Sequence, residues 1–247
     1  MSLFVADHLH KRFGDQVVLE DISFSFPAGS VSGIMGPNGA GKSTCFNVLT
    51  GMYKPDRGRV IFDGEDITGF SPNAITARGV SRSFQIMTLF DEFTALENIM
   101  VALPGVRSGL KRLFWDVRGD RDVMDQAREV LAEVGLSGRE QIHAAAMPYG
   151  ERRALEIAIA LAAKPRIVFL DEPTQGLGTN GRARLIDLVQ KLRESYTLVI
   201  IEHDMQFLFR LADRISVIQW GQVIAEGEPD ALMANEWVRA SELGKVA

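Results

Sequence analysis

A glycine-rich stretch at residues 36–44, GPNGAGKST, carries the clearest chemical signal in the sequence. It matches the pattern G-x-x-x-x-G-K-[ST], a turn between a strand and a helix that holds phosphate groups. Glycines let backbone N–H groups curl around an anion without side-chain clash, and the dipole of the following helix adds partial positive charge. The spacing therefore predicts a phosphate-binding loop for a nucleotide.

Three side chains of this loop have separate expected tasks. Lys42 supplies a full positive charge to the phosphates, Ser43 is placed to ligate Mg²⁺, and Thr44 adds a hydroxyl toward the α-phosphate. The rest of the predicted cradle is the loop backbone at Gly36, Pro37, Asn38, Gly39, Ala40 and Gly41. The alternative is a glycine-rich turn that binds nothing, which the flanking strand and helix patterns disfavour.

Two adjacent acids end an apolar run at residues 166–173, RIVFLDEP. A buried strand would carry them to its carboxyl edge, where α/β sheets bind ligands. Asp171 is then placed to hold Mg²⁺ through water, and Glu172 to polarise an attacking water. Alone, such a pair is more often a solvated acidic turn. Beside a phosphate loop, it predicts hydrolysis of a phosphate bond.

The stretch 147–165, MPYGERRALEIAIALAAKP, predicts a helix that begins near Pro148. Apolar residues later occupy every face, so we expect the helix to be largely buried. Its first turn has free backbone N–H groups and a glycine, a place that can hold an anion. Arg152 and Arg153 are expected on a solvated face, with salt bridges across a dimer as the less favoured alternative.

The elements around these motifs predict an α/β core interrupted by a helical insertion. Residues 3–35 have the alternation of β structure, and strands alternate with helices after residue 165. We expect one domain over 1–247, with a helical subdomain at about 92–163 and a C-terminal helical tail at about 228–247.

Composition excludes some classes of function. A net charge of −5 makes a broad nucleic-acid surface unlikely to form, so no nucleic-acid partner is expected. The single cysteine, Cys45, permits no internal disulfide and is expected to be a packing residue. The apolar runs are strand-sized, and the N-terminus lacks the pattern of a secretory signal. Any membrane role is therefore expected to come through a partner.

Taken in order, these motifs resemble the nucleotide-binding domain of ABC transporters over nearly the whole chain. The resemblance implies a P-loop NTPase core with an N-terminal antiparallel β subdomain and an inserted α-helical subdomain, and ATP and Mg²⁺ as cofactors. It also implies that Phe13 stacks on adenine, Gln85 senses Mg²⁺ and the attacking water, and His203 contacts the γ-phosphate. The implied catalytic residues are Lys42, Gln85, Glu172 and His203. The implied metal ligands are Ser43, Gln85 and Asp171.

The predicted helix at 147–165 occupies the signature position of that family. The resemblance implies that Tyr149, Gly150 and Glu151 act in trans, on the nucleotide of a second ATPase subunit. The sequence departs from the family twice: Pro148 stands where a serine is usual, and Gly178 where an Asp or Asn is common. These departures are expected to weaken the closed dimer and the coupling of its two sites.

Four further stretches are similar to importers of branched-chain amino acids and related solutes: FQIMTLFDEFTALENIMVAL, RRALEIAIALAAKP, IEHDM and AEGEPDALMANEWVRASELG. This similarity implies a homodimer, or a heterodimer with a homologous ATPase, that works with two transmembrane permeases. It also implies an extracytoplasmic solute-binding protein, and a cytoplasmic position on the inner face of the cell membrane.

Alternatives to this importer remain open at the level of sequence. The chain could serve a lipid or lipopolysaccharide exporter, or, less favoured, a soluble ATP-driven clamp in DNA repair or translation. The basic amphipathic stretch at 107–122, RSGLKRLFWDVRGDRD, could cap the core or contact a permease.

Overall fold

The computed structural model describes residues 2–83, 89–107 and 120–235. In these ranges the strands are β1 (Ser2–Phe13), β2 (Gln16–Pro27), β3 (Val31–Met35), β4 (Arg57–Phe62), β5 (Glu65–Asp66), β6 (Val80–Arg82), β7 (Ile167–Asp171), β8 (Thr197–Glu202), β9 (Arg214–Gln219) and β10 (Gln222–Gly227). The helices are α1 (Lys42–Leu49), α2 (Pro72–Thr76), α3 (Ala95–Ala102), α4 (Pro104–Arg107), α5 (Arg121–Glu133), α6 (Tyr149–Leu161), α7 (Thr179–Leu192), α8 (Met205–Leu211) and α9 (Pro229–Ala234).

The larger sheet has the order β10-β9-β3-β8-β7-β6, and all its neighbours are parallel except the β9–β10 hairpin. Strands β3, β7 and β8 are buried along their whole length, which is why they are almost continuous apolar runs. Parallel strands bring their carboxyl ends to one edge. The phosphate loop, the acid pair and the IEHD stretch therefore leave the sheet side by side.

The smaller sheet is antiparallel, with the order β2-β1-β4-β5, as the expected N-terminal β subdomain requires. It packs on the larger sheet through a cluster of phenylalanines. The ring of Phe4 meets that of Phe169 on β7 edge-on, with centroids 5.2 Å apart, and Phe26 meets the same ring at 6.1 Å. This apolar contact fixes the smaller sheet relative to the strand that carries the acids.

Alternate residues of β7 enter two different cores. Ile167 and Phe169 face the smaller sheet and α1, whereas Val168 and Leu170 face the helices α3, α5 and α6. This period of two is the ordinary consequence of strand geometry. The larger sheet is thus the middle of three layers, and no core face of β7 is left to solvent.

A capping box starts α3, the first helix of the insertion. The Thr94 hydroxyl accepts the Glu97 N–H at 3.2 Å, and the Glu97 carboxylate accepts the Thr94 N–H at 2.9 Å. Two backbone donors that a helix start would leave unpaired are thereby satisfied. The sequence signal TALE at 94–97 therefore defines where this helix begins.

Some predicted features lie outside the described residues: Gln85, most of the stretch 107–122, and the chain after residue 235. No helix in the described ranges is long and apolar enough to cross a lipid bilayer. Cys45 is fully buried, and burial raises the pKa of its thiol to about 12, as expected for a packing residue.

Candidate nucleotide-binding site

The phosphate loop runs from the end of β3 to the start of α1, and neighbouring backbone presses against it. A side-chain carbon added at Gly36 would lie 2.3 Å from the Ile218 carbonyl oxygen, and one at Gly41 would lie 2.9 Å from that of Val18. Gly41 also has a φ of 100°, in the region that favours glycine. These two positions need glycine because the loop is held tightly between β2 and β9.

Lys42 lies within the curve of this loop and is only 6% exposed. Its ammonium donates hydrogen bonds to the carbonyl oxygens of Gly36 at 2.8 Å and Pro37 at 3.0 Å. Burial lowers the pKa of Lys42, and the negative charges of Glu172, Asp171 and Glu202 oppose that shift. A positive charge is therefore fixed at the mouth of the loop, next to acids from other strands.

A cleft of about 440 Å³ opens at this edge of the sheet. It brings together residues that are distant in the sequence, from Val18 to His203. Its lining consists of Val18, Asn38, Gly39, Gly41, Lys42, Ser43, Thr44, Glu172, Gln175 and His203. One loop ammonium, two hydroxyls and one carboxylate thus converge on a space suited to a polyphosphate.

Glu172 occupies an unusual backbone conformation at the end of β7. Its φ is 42°, in the left-handed region that costs a non-glycine residue about 1–3 kcal/mol. Its N–H donates to the Ile201 carbonyl oxygen at 2.8 Å, and its carboxylate oxygen Oε1 lies 3.7 Å from Nδ1 of His203. The strained turn directs this carboxylate into the cleft.

Asp171 and Phe13 are not among the residues that line the cleft. Asp171 is buried, and burial together with the charge of Glu172 raises its pKa to about 6. Phe13, at the end of β1, is 45% exposed and meets the ring of Tyr53 edge-on at 5.4 Å. An aromatic side chain at the end of β1 is therefore partly open to solvent.

The donor set suits a magnesium ion held partly by a nucleotide. Mg²⁺ prefers oxygen ligands and usually takes one or two from protein, with the rest from phosphate and water. Ser43 offers a hydroxyl in the cleft, and Asp171 is a buried carboxylate whose pKa is raised by burial and by the charge of Glu172. In the described residues, no cluster of three His, Cys, Asp or Glu side chains could hold a metal unaided.

Glu202, which the sequence interpretation did not single out, organises the end of β8. Its carboxylate is fully buried and accepts hydrogen bonds from the N–H and the hydroxyl of Thr174, at 2.7 and 2.6 Å, and from the N–H of His203 at 3.1 Å. The signal for it was present, because an acid that directly follows an apolar strand resembles Asp171. Glu202 ties the two loops that border the cleft to each other.

The first turn of α6 lies in a different place. Within the described residues, Tyr149, Gly150 and Glu151 line a separate cavity of about 510 Å³ rather than the cleft around Lys42. The Tyr149 hydroxyl donates to the Gln175 carbonyl oxygen at 2.9 Å, and Glu151 pairs with Arg139 at 3.1 Å. These three residues therefore do not meet the phosphate loop of their own chain.

The expectation that Arg153 is solvated is wrong. Only 5% of Arg153 is exposed, and its guanidinium bonds to Glu156 and to backbone carbonyls of the turn after β7. Arg152 bonds instead to the Ala144 carbonyl oxygen and to Asp91. Arg153 is buried because α6 packs against the turn after β7. The backbone carbonyls of that turn accept hydrogen bonds from a charge that water would otherwise hydrate.

Comparison with known proteins assigns the chain and its fold to a family. A sequence profile of the family described as "ABC transporter" matches residues 19–175, more than half of the chain. The chain belongs to the ABC transporter family, as its ATP-binding subunit, and is an ATPase of that class. The fold predicted from the motifs is thereby confirmed.

Relatives of known assignment match over almost their full length. The chain is 37% identical over 244 residues to the high-affinity branched-chain amino acid transport ATP-binding protein BraF of Pseudomonas aeruginosa, covering 96% of each. It is 34% identical over 250 residues to LivG of Escherichia coli, a protein of the same description, covering 98% of each. Among solved structures, the ADP conformation of MJ1267, an ATP-binding cassette of an ABC transporter, matches with a TM-score of 0.88, 30% identity and full coverage of both chains.

Proposed function

We propose that this chain powers the import of branched-chain amino acids, or of a related small polar solute, by hydrolysing ATP beneath partner permeases. The observation that carries the proposal is the similarity to BraF and LivG over 96–98% of each chain.

In the proposed mechanism, Lys42 and the loop N–H groups hold the β- and γ-phosphates, and Phe13 stacks on the adenine. Ser43 and Asp171 would hold Mg²⁺, with Gln85 near it, and the ion would offset charge on the phosphates. These groups act through position and electrostatics, which provide most of the catalysis of phosphoryl transfer. The burial of Lys42 supports this role, because a fixed, desolvated charge acts strongly on a bound anion.

Glu172 is the proposed general base. It would orient a water molecule in line with the γ-phosphorus and accept its proton as the water attacks. His203, with Nδ1 at 3.7 Å from the Glu172 carboxylate, would bridge that carboxylate and the γ-phosphate. Glu202 then has a positioning role, because it holds the backbone N–H of His203.

The closed state is proposed to be a dimer that sandwiches ATP. Tyr149, Gly150 and Glu151 of one subunit would contact the γ-phosphate held by the loop of the other, and that other subunit is either a second copy of this chain or a homologous ATPase. Their separation from the Lys42 cleft of their own chain supports this arrangement. Hydrolysis would remove a charge that both subunits hold, and the dimer would open.

The proposed domain and membrane arrangement follows from the same similarity. The segment at about 92–163 would form the helical subdomain, and the segment at about 228–247 the C-terminal tail. The ATPase would sit peripherally on the inner face of the membrane against two permeases, while an extracytoplasmic binding protein delivers the solute. No nucleic-acid partner is proposed.

Reconstitution tests the transport proposal directly. The chain is co-expressed with candidate permeases, placed in proteoliposomes with their binding protein, and assayed for ATP-driven uptake of leucine, isoleucine and valine. Uptake should require ATP on the side of the membrane that carries the ATPase. It should disappear with Glu172→Gln. ATP hydrolysis without uptake of any small polar solute would contradict the importer proposal.

One second candidate has a specific observation in its favour. The chain is 30% identical over 249 residues to the lipopolysaccharide export ATP-binding protein LptB of Haemophilus influenzae, covering 98% of that protein. The same proteoliposomes separate the two functions, because an exporter would extract lipopolysaccharide and ignore the amino acids.

A further inference from the structure

Helix α6 contacts the turn that carries Glu172, in addition to presenting its exposed first turn. The point of contact is Arg153, one helical turn beyond Gly150. Neither the motif comparison nor the proposed mechanism gives this arginine a task. Its environment is unusual, because Arg153 is only 5% exposed and arginine is rarely buried unless its charge is paired.

The guanidinium of Arg153 binds three consecutive backbone carbonyls. Nη2 donates to the carbonyl oxygens of Asp171 at 2.9 Å and Glu172 at 2.8 Å, and Nε donates to that of Pro173 at 3.2 Å. A planar fork of donors fits such a row of acceptors, whereas an ammonium group would serve fewer of them. Arg153 therefore grips the backbone on both sides of the catalytic carboxylate.

This grip fixes the part of the chain that is strained. Glu172 has a φ of 42°, and such a conformation persists only where the surrounding structure holds it. The β8 strand holds its N–H through the Ile201 carbonyl oxygen at 2.8 Å. On the carbonyl side, the bonds come from Arg153 and from the N–H of Gln175, at 3.1 Å.

Glu156 holds Arg153 from the other side. Its Oε2 accepts the Nη1 hydrogen at 2.7 Å, and both side chains are nearly fully buried. The second oxygen, Oε1, has no hydrogen-bond partner in the described part of the chain. A buried ion pair of this kind rarely adds net stability, so its orientation of the guanidinium is the better explanation of its presence.

We propose that Arg153, oriented by Glu156, is a positioning residue for ATP hydrolysis: it holds the Glu172 backbone so that the carboxylate points at the attacking water. Because Arg153 lies on the same helix as Gly150, it also links the half-site offered to the partner subunit with Glu172 of its own chain. This role rests on the proposed function of Glu172 as general base.

The test separates catalysis from binding in the full-length chain. Arg153→Lys keeps the charge beside Glu156 but loses the fork, and we expect kcat for ATP to fall about 10- to 100-fold while KM stays within about 2-fold. A double variant, Arg153→Met with Glu156→Leu, removes the pair without leaving a buried charge, so it should fold and show the same loss of kcat. Folding is checked by thermal melting, and nucleotide affinity by titration with a fluorescent ATP analogue.

Arg152 provides the matched control. It precedes Arg153 on the same helix and also bonds a backbone carbonyl and an acid, but those are Ala144 and Asp91 rather than the Glu172 turn. Arg152→Lys should keep kcat within about 3-fold of the unmodified chain. Equal losses in the two lysine variants would overturn the assignment, because they would indicate a general effect on α6.

Glu172→Gln distinguishes failure of this inference from failure of the proposed function. If Glu172→Gln abolishes turnover while both Arg153 variants fold and keep the normal kcat, the positioning role is wrong and the general base stands. If Glu172→Gln itself keeps normal turnover, the proposed function of that carboxylate fails and the positioning role fails with it.

Discussion

The N-termini of α1 and α6 both lack a side-chain cap, and they differ in what surrounds them. At α1, Lys42 is buried within the phosphate loop and the cleft in front of it contains Glu172 and His203. At α6, the first turn starts at Pro148 without a side-chain cap, and the space beside Gly150 is nearly open. In the described residues, the α1 end has charge, hydroxyls and a carboxylate around one cleft, whereas the α6 end lines a separate cavity that contains no residue of the phosphate loop.

This difference explains why the two regions are proposed to serve different nucleotides. In the proposed arrangement, the α1 end binds ATP with groups of its own chain, because the sheet edge holds Lys42, Glu172 and His203 around one cleft. The α6 end does not line that cleft, so it would contact a phosphate that another subunit supplies. Variants at each end should therefore separate binding from turnover.

The largest expected effect on turnover comes from Glu172, which lines the cleft in front of α1. Glu172→Gln should lower kcat by about 10²- to 10⁴-fold, the usual contribution of a general base. ATP affinity should be unchanged or higher, because one negative charge beside the phosphates is lost. Phosphate release at saturating ATP measures kcat, and equilibrium dialysis measures affinity. Unchanged turnover would show that another group activates the water.

Lys42→Ala should remove binding as well as turnover. Loss of two or more charge-assisted bonds to phosphate is expected to weaken ATP affinity by about 100-fold. The fold should survive, since within the described residues the amine bonds to two loop carbonyls and to no other group. Lys191→Ala is the matched control, because that amine also bonds two carbonyls, of Ala132 and Glu133, far from the cleft. Calorimetric titration that gave equal affinities for both variants would contradict the phosphate-loop assignment.

Gly150→Asp examines the α6 end. A carboxylate at this turn would face the partner's γ-phosphate, and the like charges should lower turnover by about 50-fold. Binding of ATP to the single chain should not change, and the fold should tolerate the side chain because the nearest atom to an added Cβ is 4.0 Å away, on Leu177. Turnover and monomer affinity measured on the same preparation test this split. A parallel loss of both would indicate that α6 contacts the nucleotide of its own chain.

The smallest expected effect is a gain, from Pro148→Ser. A serine hydroxyl could bond the partner's phosphate, and such a bond would tighten the ATP-dependent dimer by about 10-fold. It would also cap α6, which now lacks a side-chain cap, and stabilise the fold by about 1 kcal/mol. Pro148→Ala, which adds no hydroxyl, is the control. Dimerisation with ATP in a Glu172→Gln background, followed by analytical ultracentrifugation, should distinguish the two variants.

The sequence was most informative where a function uses adjacent residues. The phosphate loop is a contiguous pattern with a strand before it and a helix after it, so spacing alone indicates its geometry. Acids at the end of a strand, such as Asp171 and Glu172, can be predicted in the same way, because the apolar run before them indicates a buried strand. The short strand β6 (Val80–Arg82) was not predicted, since three residues carry too little periodicity.

Arg153 and Glu202 could not be assigned from the sequence because their partners are distant. Arg153 bonds carbonyls 18 to 20 positions away, and backbone acceptors leave no trace in the residue types. Glu202 bonds Thr174, which lies 28 positions away on another loop. A charged residue in a helix is ordinarily solvated, and only the tertiary packing of α6 reverses that expectation.

We propose that each ATP site is shared by two subunits. The most direct measurement is a cryo-EM structure of the Glu172→Gln chain with ATP and Mg²⁺, assembled with its permeases. We expect ATP to lie between the Lys42 loop of one ATPase subunit and the Tyr149–Glu151 turn of the other. An ATP molecule enclosed by a single chain, with its own Tyr149–Glu151 turn against the γ-phosphate, would contradict it.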